Sequence, residues 1–461
     1  MRRLAALFLG TALALPMYSQ SIPWQLELVQ GIAPFIFLIA LLAAYQQFRD
    51  GALRVDALTL ALGLSVLSLF YGLPLTPEES RGSVTLEILR GLYFVILAYG
   101  VAHFGMQRDG ALWLRRSFLF SAALFAVALA ILGTIKYLLF LVPEFISQIL
   151  TEPLSSYPWG SALTQEYNFY ALSLLIGAFA LCVFWTEAKH DWSALFFAIC
   201  LVFVVIVAAY AGSRRFWLLA PAMLGSQLML YFSRRYVALF SARTLALLLA
   251  AALGVGAAVW ERHNEDTLRA YVRDFTDRLP LAALILNGIK AHGVPGFGAI
   301  DYEYRLLSMT DPTEEYGGMS ARKERWAFAV QLGVNSPIAG MGFDYRDSFS
   351  CRFQACEADD NPHNPILSAW LYGGLFGVFT VSLLMWISLR NAIGFARAVP
   401  LEGTGIALGY ASTLVFAMIS GDTIFSMPVL ITTAIAASIY PWSNREVWRV
   451  PVPKFGQKKR L

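Results

Sequence analysis

The chain has 461 residues, of which 57% are hydrophobic and only 14% are charged, and its mean hydropathy is +0.58. A soluble domain usually carries about a quarter charged residues, so this composition excludes an ordinary soluble protein and favours a chain that places apolar surface in lipid. The net charge of +4 is small and dispersed, and no basic-aromatic motif is present, which argues against a nucleic-acid partner.

Apolar runs long enough to cross a bilayer recur along the chain. A spanning helix needs ~20 mostly apolar residues, and the sequence contains twelve such candidates. They lie near residues 4–20, 28–47, 55–74, 84–104, 117–142, 167–186, 193–212, 216–232, 243–260, 365–389, 404–422 and 424–440. The sequence therefore predicts an all-α, polytopic membrane protein with about twelve transmembrane helices and one large periplasmic loop that contains helices of its own.

The first run leaves two interpretations open. Arg2 and Arg3 precede an apolar stretch, which is the pattern of a secretory signal. The run ends without a clean small-x-small cleavage site, which favours an uncleaved helix. The charge pattern of the rest of the chain is the same in both cases.

Lys and Arg residues concentrate on one side of the predicted bundle. With the N-terminus in the cytoplasm, the short outer loops contain only Arg81, Arg214 and Arg215, and the positive-inside rule then places both termini in the cytoplasm of a bacterial cell, with the chain in the inner membrane. The predicted organisation is nine transmembrane helices in 1–260, the periplasmic loop in 261–364, three further transmembrane helices in 365–440, and a basic cytoplasmic tail in 441–461.

The long loop has its own predicted structure. Apolar residues at helical spacing predict amphipathic helices over 265–279 and 319–334. Cys351 and Cys356 lie close together in a polar segment, and outside the cytoplasm such a pair favours a disulfide. Only His363 lies near them, which is too few ligands for a structural zinc site.

Arg214 and Arg215 break the charge rule, because they lie at an outer junction between two apolar runs. Guanidinium groups bind phosphate in bidentate fashion, so one interpretation is a site for a lipid-borne phosphate. The other is that both side chains extend to the lipid headgroups. The position of these arginines alone does not decide between them.

Two motifs follow in the second half of the loop. Arg322 and Trp326 are four residues apart and share one helix face, and a solvated charged helix is the simpler alternative to a binding site. Gly340 and Gly342 follow a Ser-Pro helix end and permit a tight backbone path beside a ligand. These residues are candidates for substrate binding.

The loop ends with His363 and Asn364, directly before an apolar run. An imidazole has an unperturbed pKa of about 6.5, which suits proton transfer near neutrality. A single histidine at a helix start is more often a structural residue. Asp344 and Asp422 are alternative bases on the same predicted side.

Taken in order, these features form a longer pattern. A Ser-Arg pair lies at an outer helix junction, and a long outer loop then carries Arg-x-x-x-Trp, Pro-x-x-Gly-x-Gly and His-Asn motifs. This pattern resembles the O-antigen ligase family, which includes lipopolysaccharide O-antigen ligases, related polymerases and protein O-oligosaccharyltransferases. The motifs cover roughly residues 165–390. The segment from Cys351 to Asp360 is not a hallmark of that family.

The resemblance implies a function and a set of site residues. It implies a metal-independent, inverting membrane glycosyltransferase without a cofactor, which transfers a glycan from undecaprenyl pyrophosphate to an acceptor hydroxyl at the periplasmic face. Arg214, Arg322 and His363 match the family's functional positions, and Arg215 is an additional cation. Arg214 and Arg322 would stabilise the leaving pyrophosphate, and His363 would take the acceptor proton. Trp326, Gly340, Gly342 and Asn364 would bind substrate.

Several functions remain open on the sequence. The implied activity is ligation of O-antigen to lipid A-core, and the alternatives are an O-antigen polymerase and a protein O-oligosaccharyltransferase, which differ in their acceptor. A transporter of lipid-linked sugars is the alternative that is not an enzyme, and intramembrane charges usually mark function. Glu87, Arg90 and Lys136 lie within predicted spans, where they either form a lipid-phosphate path or pair structurally.

Overall fold

The computed structural model describes residues 2–18, 25–50, 52–105, 108–140, 167–211, 216–234, 242–263, 319–353, 356, 360–439 and 447–451. Its helices are α1 (Arg2–Tyr18), α2 (Gln25–Arg49), α3 (Ala57–Gly72), α4 (Arg81–Gly105), α5 (Arg108–Phe140), α6 (Tyr167–Glu187), α7 (Asp191–Tyr210), α8 (Phe216–Ala220), α9 (Ser226–Arg234), α10 (Ala242–His263), α11 (Met319–Asn335), α12 (Asp344–Phe353), α13 (Pro365–Ala398), α14 (Pro400–Ser420) and α15 (Pro428–Ala436). Two strands, β1 (Ala52–Asp56) and β2 (Val447–Pro451), complete the described elements.

Eight of the described helices are long and apolar enough to cross a membrane. They coincide with eight of the twelve predicted spans, and the chain is therefore an α-helical, multi-pass membrane protein. Large apolar side chains such as Leu41, Leu67 and Phe120 are more than half exposed on these helices. Such exposure suits a surface that faces lipid.

The other four predicted spans have different structures. α1 is an apolar helix shorter than the spanning ones, and α10 covers the run 243–260. The run 216–232 divides into α8, a π-helical turn at Pro221–Gly225, and α9, because Pro221 lacks the N–H that would continue the helix. The run 424–440 forms a 3₁₀ turn at Ile424–Ser426 and the nine-residue α15, so a count of twelve spanning helices stays a prediction.

The chain divides into two compact units. The second unit, Leu15–Leu28 with Leu119–Glu314, is built around α6 and α7, which pack against each other, and α10 also packs against α7. Tyr170 illustrates why this packing is specific, because its buried hydroxyl donates to the carbonyl of Leu129 at 2.9 Å. A buried phenol requires such a partner, so the bond fixes α6 against α5.

The first unit, Met1–Ala14 with Val29–Phe118 and Glu315–Leu461, contains the predicted site residues Arg322, Trp326, Gly340, Gly342, His363 and Asn364. α13 is its central helix and packs against α3, α11 and α14, and α4 packs against α3. β1 pairs antiparallel with β2, a small sheet that the all-α prediction did not include. The carboxylate of Asp56 caps α3 by accepting from the N–H of Thr59 at 2.9 Å.

α13 is interrupted at Gly373 and Gly374, where the backbone leaves helical geometry and Gly374 has φ +59°. The interruption frees two carbonyl groups, and the incoming loop uses them. The N–H of Met341 donates to the carbonyl of Leu371 at 2.7 Å, and the N–H of Gly342 donates to that of Tyr372 at 3.0 Å. The segment before α12, which belongs to the predicted periplasmic loop, is therefore joined to α13 like a short strand, which fixes α11 and α12 at this end of the unit.

Candidate active site

The described part of the predicted periplasmic loop packs as a small aromatic cluster. The ring of Phe328 on α11 contacts Phe349 and Phe353 of α12 in edge-to-face geometry, with centroid distances of 5.0 and 5.7 Å. Phe349 is fully buried. The prediction of a helix over 319–334 is confirmed by α11. The prediction for 265–279 lies outside the described residues.

Arg325 and Asp360 form the buried ion pair of this region. The guanidinium donates from Nη2 to Oδ2 of Asp360 at 2.8 Å and from Nε at 3.1 Å, and the two residues are only 8% and 4% exposed. The cation also lies over the ring of Phe353, at 4.7 Å from its centroid. Because both partners are removed from water, loss of either would leave a buried charge, which is strongly destabilising.

Two hydrogen bonds from backbone N–H groups to side chains lead from this ion pair to the candidate base. Oδ1 of Asp360 accepts from the N–H of Asn361 at 2.8 Å, and Oδ1 of Asn361 accepts from the N–H of His363 at 2.8 Å. His363 itself has φ +54°, a left-handed conformation that is uncommon for a residue with a side chain. Backbone strain of this kind concentrates at functional sites, so the geometry adds to the case for His363.

The imidazole of His363 lies between charged groups. Its Nε2 is 3.6 Å from Oδ1 of Asp360, and its side chain is 36% exposed whereas that of Asp360 is 4% exposed. Burial lowers the pKa of His363 below its ordinary value, and the cations of Arg325 and Arg322 add to this, while the carboxylates of Asp360 and Asp422 oppose it. The ring is therefore accessible and favours its neutral, proton-accepting form.

Arg322 and Trp326 lie on α11, and both are partly buried. The cation of Arg322 acts on the pKa of His363, so the structure brings the predicted arginine and the predicted base into one electrostatic environment. The indole N–H of Trp326 is buried and has no hydrogen-bond partner in the part of the chain that the structure describes. A buried donor without a partner is costly, and a bound substrate could accept from it.

Gly340 and Gly342 have φ +75° and +64°. A Cβ on Gly340 would lie 2.6 Å from the carbonyl oxygen of Tyr372, and one on Gly342 would lie 2.7 Å from the N of Thr76. The neighbours that require glycine at these positions are thus atoms of the protein itself, mostly of its backbone. Their predicted role in substrate binding stays a prediction.

Asn364 is 8% exposed and caps α13. Its Oδ1 accepts from the N–H groups of Ile366 and Leu367 at 3.0 and 3.2 Å, and its Nδ2 donates to the carbonyl of Met418 at 3.1 Å. The amide thus ties the start of α13 to the end of α14. This positions the preceding His363, and substrate contact by Asn364 stays a prediction.

A second polar cluster centres on Asp422, which follows α14. Its carboxylate accepts from the hydroxyl of Tyr345 at 3.1 Å and from that of Ser368 at 2.9 Å, and it forms a close ion pair with Arg346. Burial raises the pKa of Tyr345 and Asp422 adds to this rise; burial would lower the pKa of Arg346, but the Asp422 carboxylate raises it overall. The Asp422 carboxylate is therefore engaged by three donors, from Tyr345, Ser368 and Arg346.

The intramembrane charges of α4 are also paired. Glu87 and Arg90 form an ion pair at 2.6 Å, and Glu87 accepts from the hydroxyl of Thr423 at 2.9 Å. For Glu87 and Arg90 the structure therefore shows the structural pairing, which was the alternative to a lipid-phosphate path. The side chain of Lys136 lies outside the described residues, and Asp344 is exposed at the start of α12.

Arg214 and Arg215 also lie outside the described residues, so their predicted roles stay predictions.

The sequence motifs did not identify five residues of the two polar clusters, which are Arg325, Asp360, Tyr345, Arg346 and Ser368. Arg325 stands in the same charged run as Arg322, but its partner is 35 residues further along the chain. A buried pair at that separation has no local sequence pattern.

Cys351 and Cys356 form a disulfide, which confirms that prediction. It joins the end of α12 to the segment that leads to Asp360, and the N–H of Cys356 donates to the carbonyl of Ser350 at 3.1 Å. Among the described residues, no three His, Cys, Asp or Glu side chains come together as metal ligands. Metal independence stays a prediction.

Comparison with known proteins adds one finding. A sequence model of a family described as O-antigen ligase matches residues 199–382. The match includes the Ser-Arg junction, the whole predicted loop and the first half of α13. A comparison with curated proteins found no match.

Proposed function

We propose that the chain is a membrane glycosyltransferase of the O-antigen ligase family, whose sequence model matches residues 199–382. It transfers a glycan from undecaprenyl pyrophosphate to an acceptor hydroxyl at the periplasmic face of the inner membrane. The proposed acceptor is lipid A-core. The observation that supports this most is the accessible imidazole of His363, which lies beside the buried Arg325–Asp360 pair and within the electrostatic reach of Arg322.

The proposed chemistry is a direct displacement at the anomeric carbon. The acceptor oxygen forms the new glycosidic bond as the bond from that carbon to the phosphate oxygen breaks, and the pyrophosphate leaves with the electron pair. Attack opposite the leaving group inverts the anomeric configuration. Arg322, together with Arg214 and Arg215, would stabilise the charge that develops on the leaving phosphate, a type of contact that contributes about 3 kcal/mol in a dry site.

His363 would accept the proton of the attacking hydroxyl. Its lowered pKa keeps the ring neutral near pH 7, which is the form that a general base requires. The indole N–H of Trp326, buried without a described partner, would donate to the bound glycan or its phosphate. No metal or cofactor is part of this proposal.

The interrupted α13 bears on the transporter alternative. Transporters use broken helices to expose backbone groups to substrate in the membrane. Here the N–H groups of Met341 and Gly342 occupy the carbonyls that the interruption frees. The break is used for docking within the protein, which favours the enzyme over the transporter.

The test is the surface polysaccharide of a deletion strain. Loss of long-chain polysaccharide from lipid A-core with accumulation of free lipid-linked polymer supports ligation. Lipid A-core that carries only a single glycan repeat would indicate a polymerase instead of a ligase. An unglycosylated protein together with normal lipopolysaccharide would identify a protein acceptor. Transfer by the purified enzyme, from undecaprenyl-pyrophosphate glycan to lipid A-core, should occur with a chelator present and should be lost in His363→Ala. Equal transfer by that variant would overturn the proposed base.

A further inference from the structure

We propose that Asp360, held in place by Arg325, is the positioning residue of His363: it fixes the imidazole so that Nε2 faces the carboxylate and Nδ1 takes the proton of the acceptor. This inference rests on the proposed function. The segment that carries Asp360 contributes no motif to the family resemblance, so nothing in that resemblance assigns it a role.

The orientation of Asp360 is the first step of the argument. Its Oδ2 is taken up by two N–H groups of Arg325, at 2.8 and 3.1 Å. Its Oδ1 accepts from the N–H of Asn361 at 2.8 Å and lies 3.6 Å from Nε2 of His363. Nε of Arg325 also donates to Oδ1 at 3.3 Å. Because the guanidinium contacts both carboxylate oxygens, it restricts rotation of the oxygen that faces the imidazole.

The backbone supports the same geometry. Asp360 and Asn361 hold the turn that places His363 at φ +54°. Oδ1 of Asp360 thus takes part both in the turn and in the contact with the imidazole. Removal of that carboxylate would release both the left-handed turn and the imidazole.

The ring nitrogens then have separate roles. Because Nε2 faces the Asp360 carboxylate at 3.6 Å, the charge of that carboxylate favours the neutral tautomer that carries its proton on Nε2. Nδ1 then has the free lone pair. During transfer the acceptor O–H bond breaks, its proton moves to Nδ1, and its oxygen bonds to the anomeric carbon as the phosphate leaves with the electron pair. The resulting imidazolium lies against an anion, and the 4% exposure of Asp360 keeps water from screening the pair.

The surrounding charges decide how the base responds to pH. Arg322 and Arg325 from α11 disfavour the protonated ring, and Asp360 and Asp422 favour it. Removing one partner of the buried ion pair should therefore move the pKa of His363 in one direction, and removing the other should move it in the opposite direction. If the ion pair acted on His363 only by holding the fold, both variants would move the pKa of His363 in the same direction, since both changes break the same contact.

The experiment measures the pKa and the tautomer of His363 by ¹⁵N NMR in nanodiscs, with His363→Gln used to assign the signal among the five histidines. Asp360→Asn should lower the pKa by about one unit and Arg325→Gln should raise it by a similar amount. Asp360→Glu keeps the charge and should stay closer to the parent value. Asp347→Asn and Lys323→Gln, which change exposed charges on α12 and α11, should leave it unchanged.

Transfer assays over a range of pH complete the test. The acid limb of turnover should shift to lower pH in Asp360→Asn and to higher pH in Arg325→Gln. Shifts of the NMR pKa in the same direction, an absence of any shift, or a parent ring protonated on Nδ1 would overturn the positioning role. Opposite NMR shifts with an unshifted acid limb would instead overturn His363 as the base, and so the proposed function. If Asp360→Asn does not fold, Arg325→Gln and the parent tautomer still decide the question.

Discussion

Ser368 and Asp422, 54 residues apart, are joined by a hydrogen bond of 2.9 Å from the hydroxyl of the first to Oδ1 of the second. Ser368 is fully buried on the first turn of α13, and Asp422 follows α14. The same carboxylate holds Tyr345 and Arg346 of α12. One anion thus joins α12 to α13 and to the end of α14.

Asp422→Ala should destabilise the protein by about 3 kcal/mol or more, because it leaves the largely buried Arg346 without its counter-ion. The double variant Asp422→Asn with Arg346→Met removes both charges and should be more stable than Asp422→Ala alone. Thermal unfolding in detergent measures both, with the exposed Asp344→Asn as control. If Asp422→Ala unfolds at the parent temperature, the carboxylate does not hold α12.

The glycine at the break of α13 gives a second prediction. Gly374 has φ +59°, and a Cβ there would overlap the carbonyl of Ile338. Gly374→Ala should therefore release the loop from α13 and raise the protease sensitivity of the segment between α11 and α12. The control is Gly82→Ala on α4, where a Cβ meets nothing within 4 Å, so that helix should gain up to about 1 kcal/mol. Equal protease resistance in the two variants would contradict the docking role.

Hydropathy predicted most of the membrane architecture, because a spanning helix must be apolar over its whole length. At 424–440 it predicted one long helix, whereas the structure has a 3₁₀ turn and the short α15, for a physical reason. A continuous apolar run does not distinguish a spanning helix from a short helix buried in protein, and all nine residues of α15 except Pro428 are buried. The pairing of β1 with β2 was also invisible, since strands nearly 400 residues apart share no local pattern.

The candidate site was predictable only in part. Short motifs predicted Arg322, Trp326 and His363, since each of them belongs to a pattern of a few neighbouring residues. Asp360 has no such pattern, because its role depends on a fold that brings it to Arg325. Buried ion pairs between distant segments are decided by tertiary packing, so residues that orient a base are harder to find than the base itself.

The disulfide predicts a labelling pattern. Cys182 and Cys200 are free, whereas Cys351 and Cys356 are bonded. Alkylation of the unfolded, unreduced protein should label two cysteines, and alkylation after reduction should label four. Cys351→Ser with Cys356→Ser should cost about 2 kcal/mol at most, as expected for so small a ring, and should loosen the segment before Asp360. Four labelled cysteines without reduction would contradict the bond.

The pKa of His363 predicts how activity and stability depend on pH. Burial and the cations of Arg325 and Arg322 lower that pKa, so the neutral base persists below the ordinary value of about 6.5. Turnover should therefore fall to half at a pH below 6.5. Because the unfolded chain then binds more protons than the folded one, this histidine should also reduce stability as the pH falls through 6.5. A half-point of turnover above 6.5 would contradict the lowered pKa.

Arg322 provides the sharpest test of phosphate binding. Arg322→Lys keeps the positive charge but lacks the planar fork that binds phosphate oxygens in pairs. If the side chain holds the leaving pyrophosphate, this variant should lose at least about 100-fold in turnover, by comparison with the loss of one transition-state donor, with a smaller change in donor affinity. Arg214→Lys should behave in the same way. The matched control is Lys323→Arg, which lies one residue along α11 with an exposed side chain and should transfer glycan at the parent rate. A charge that only reaches lipid headgroups would tolerate lysine, so near-parent turnover in both arginine variants would remove these residues from the proposed mechanism.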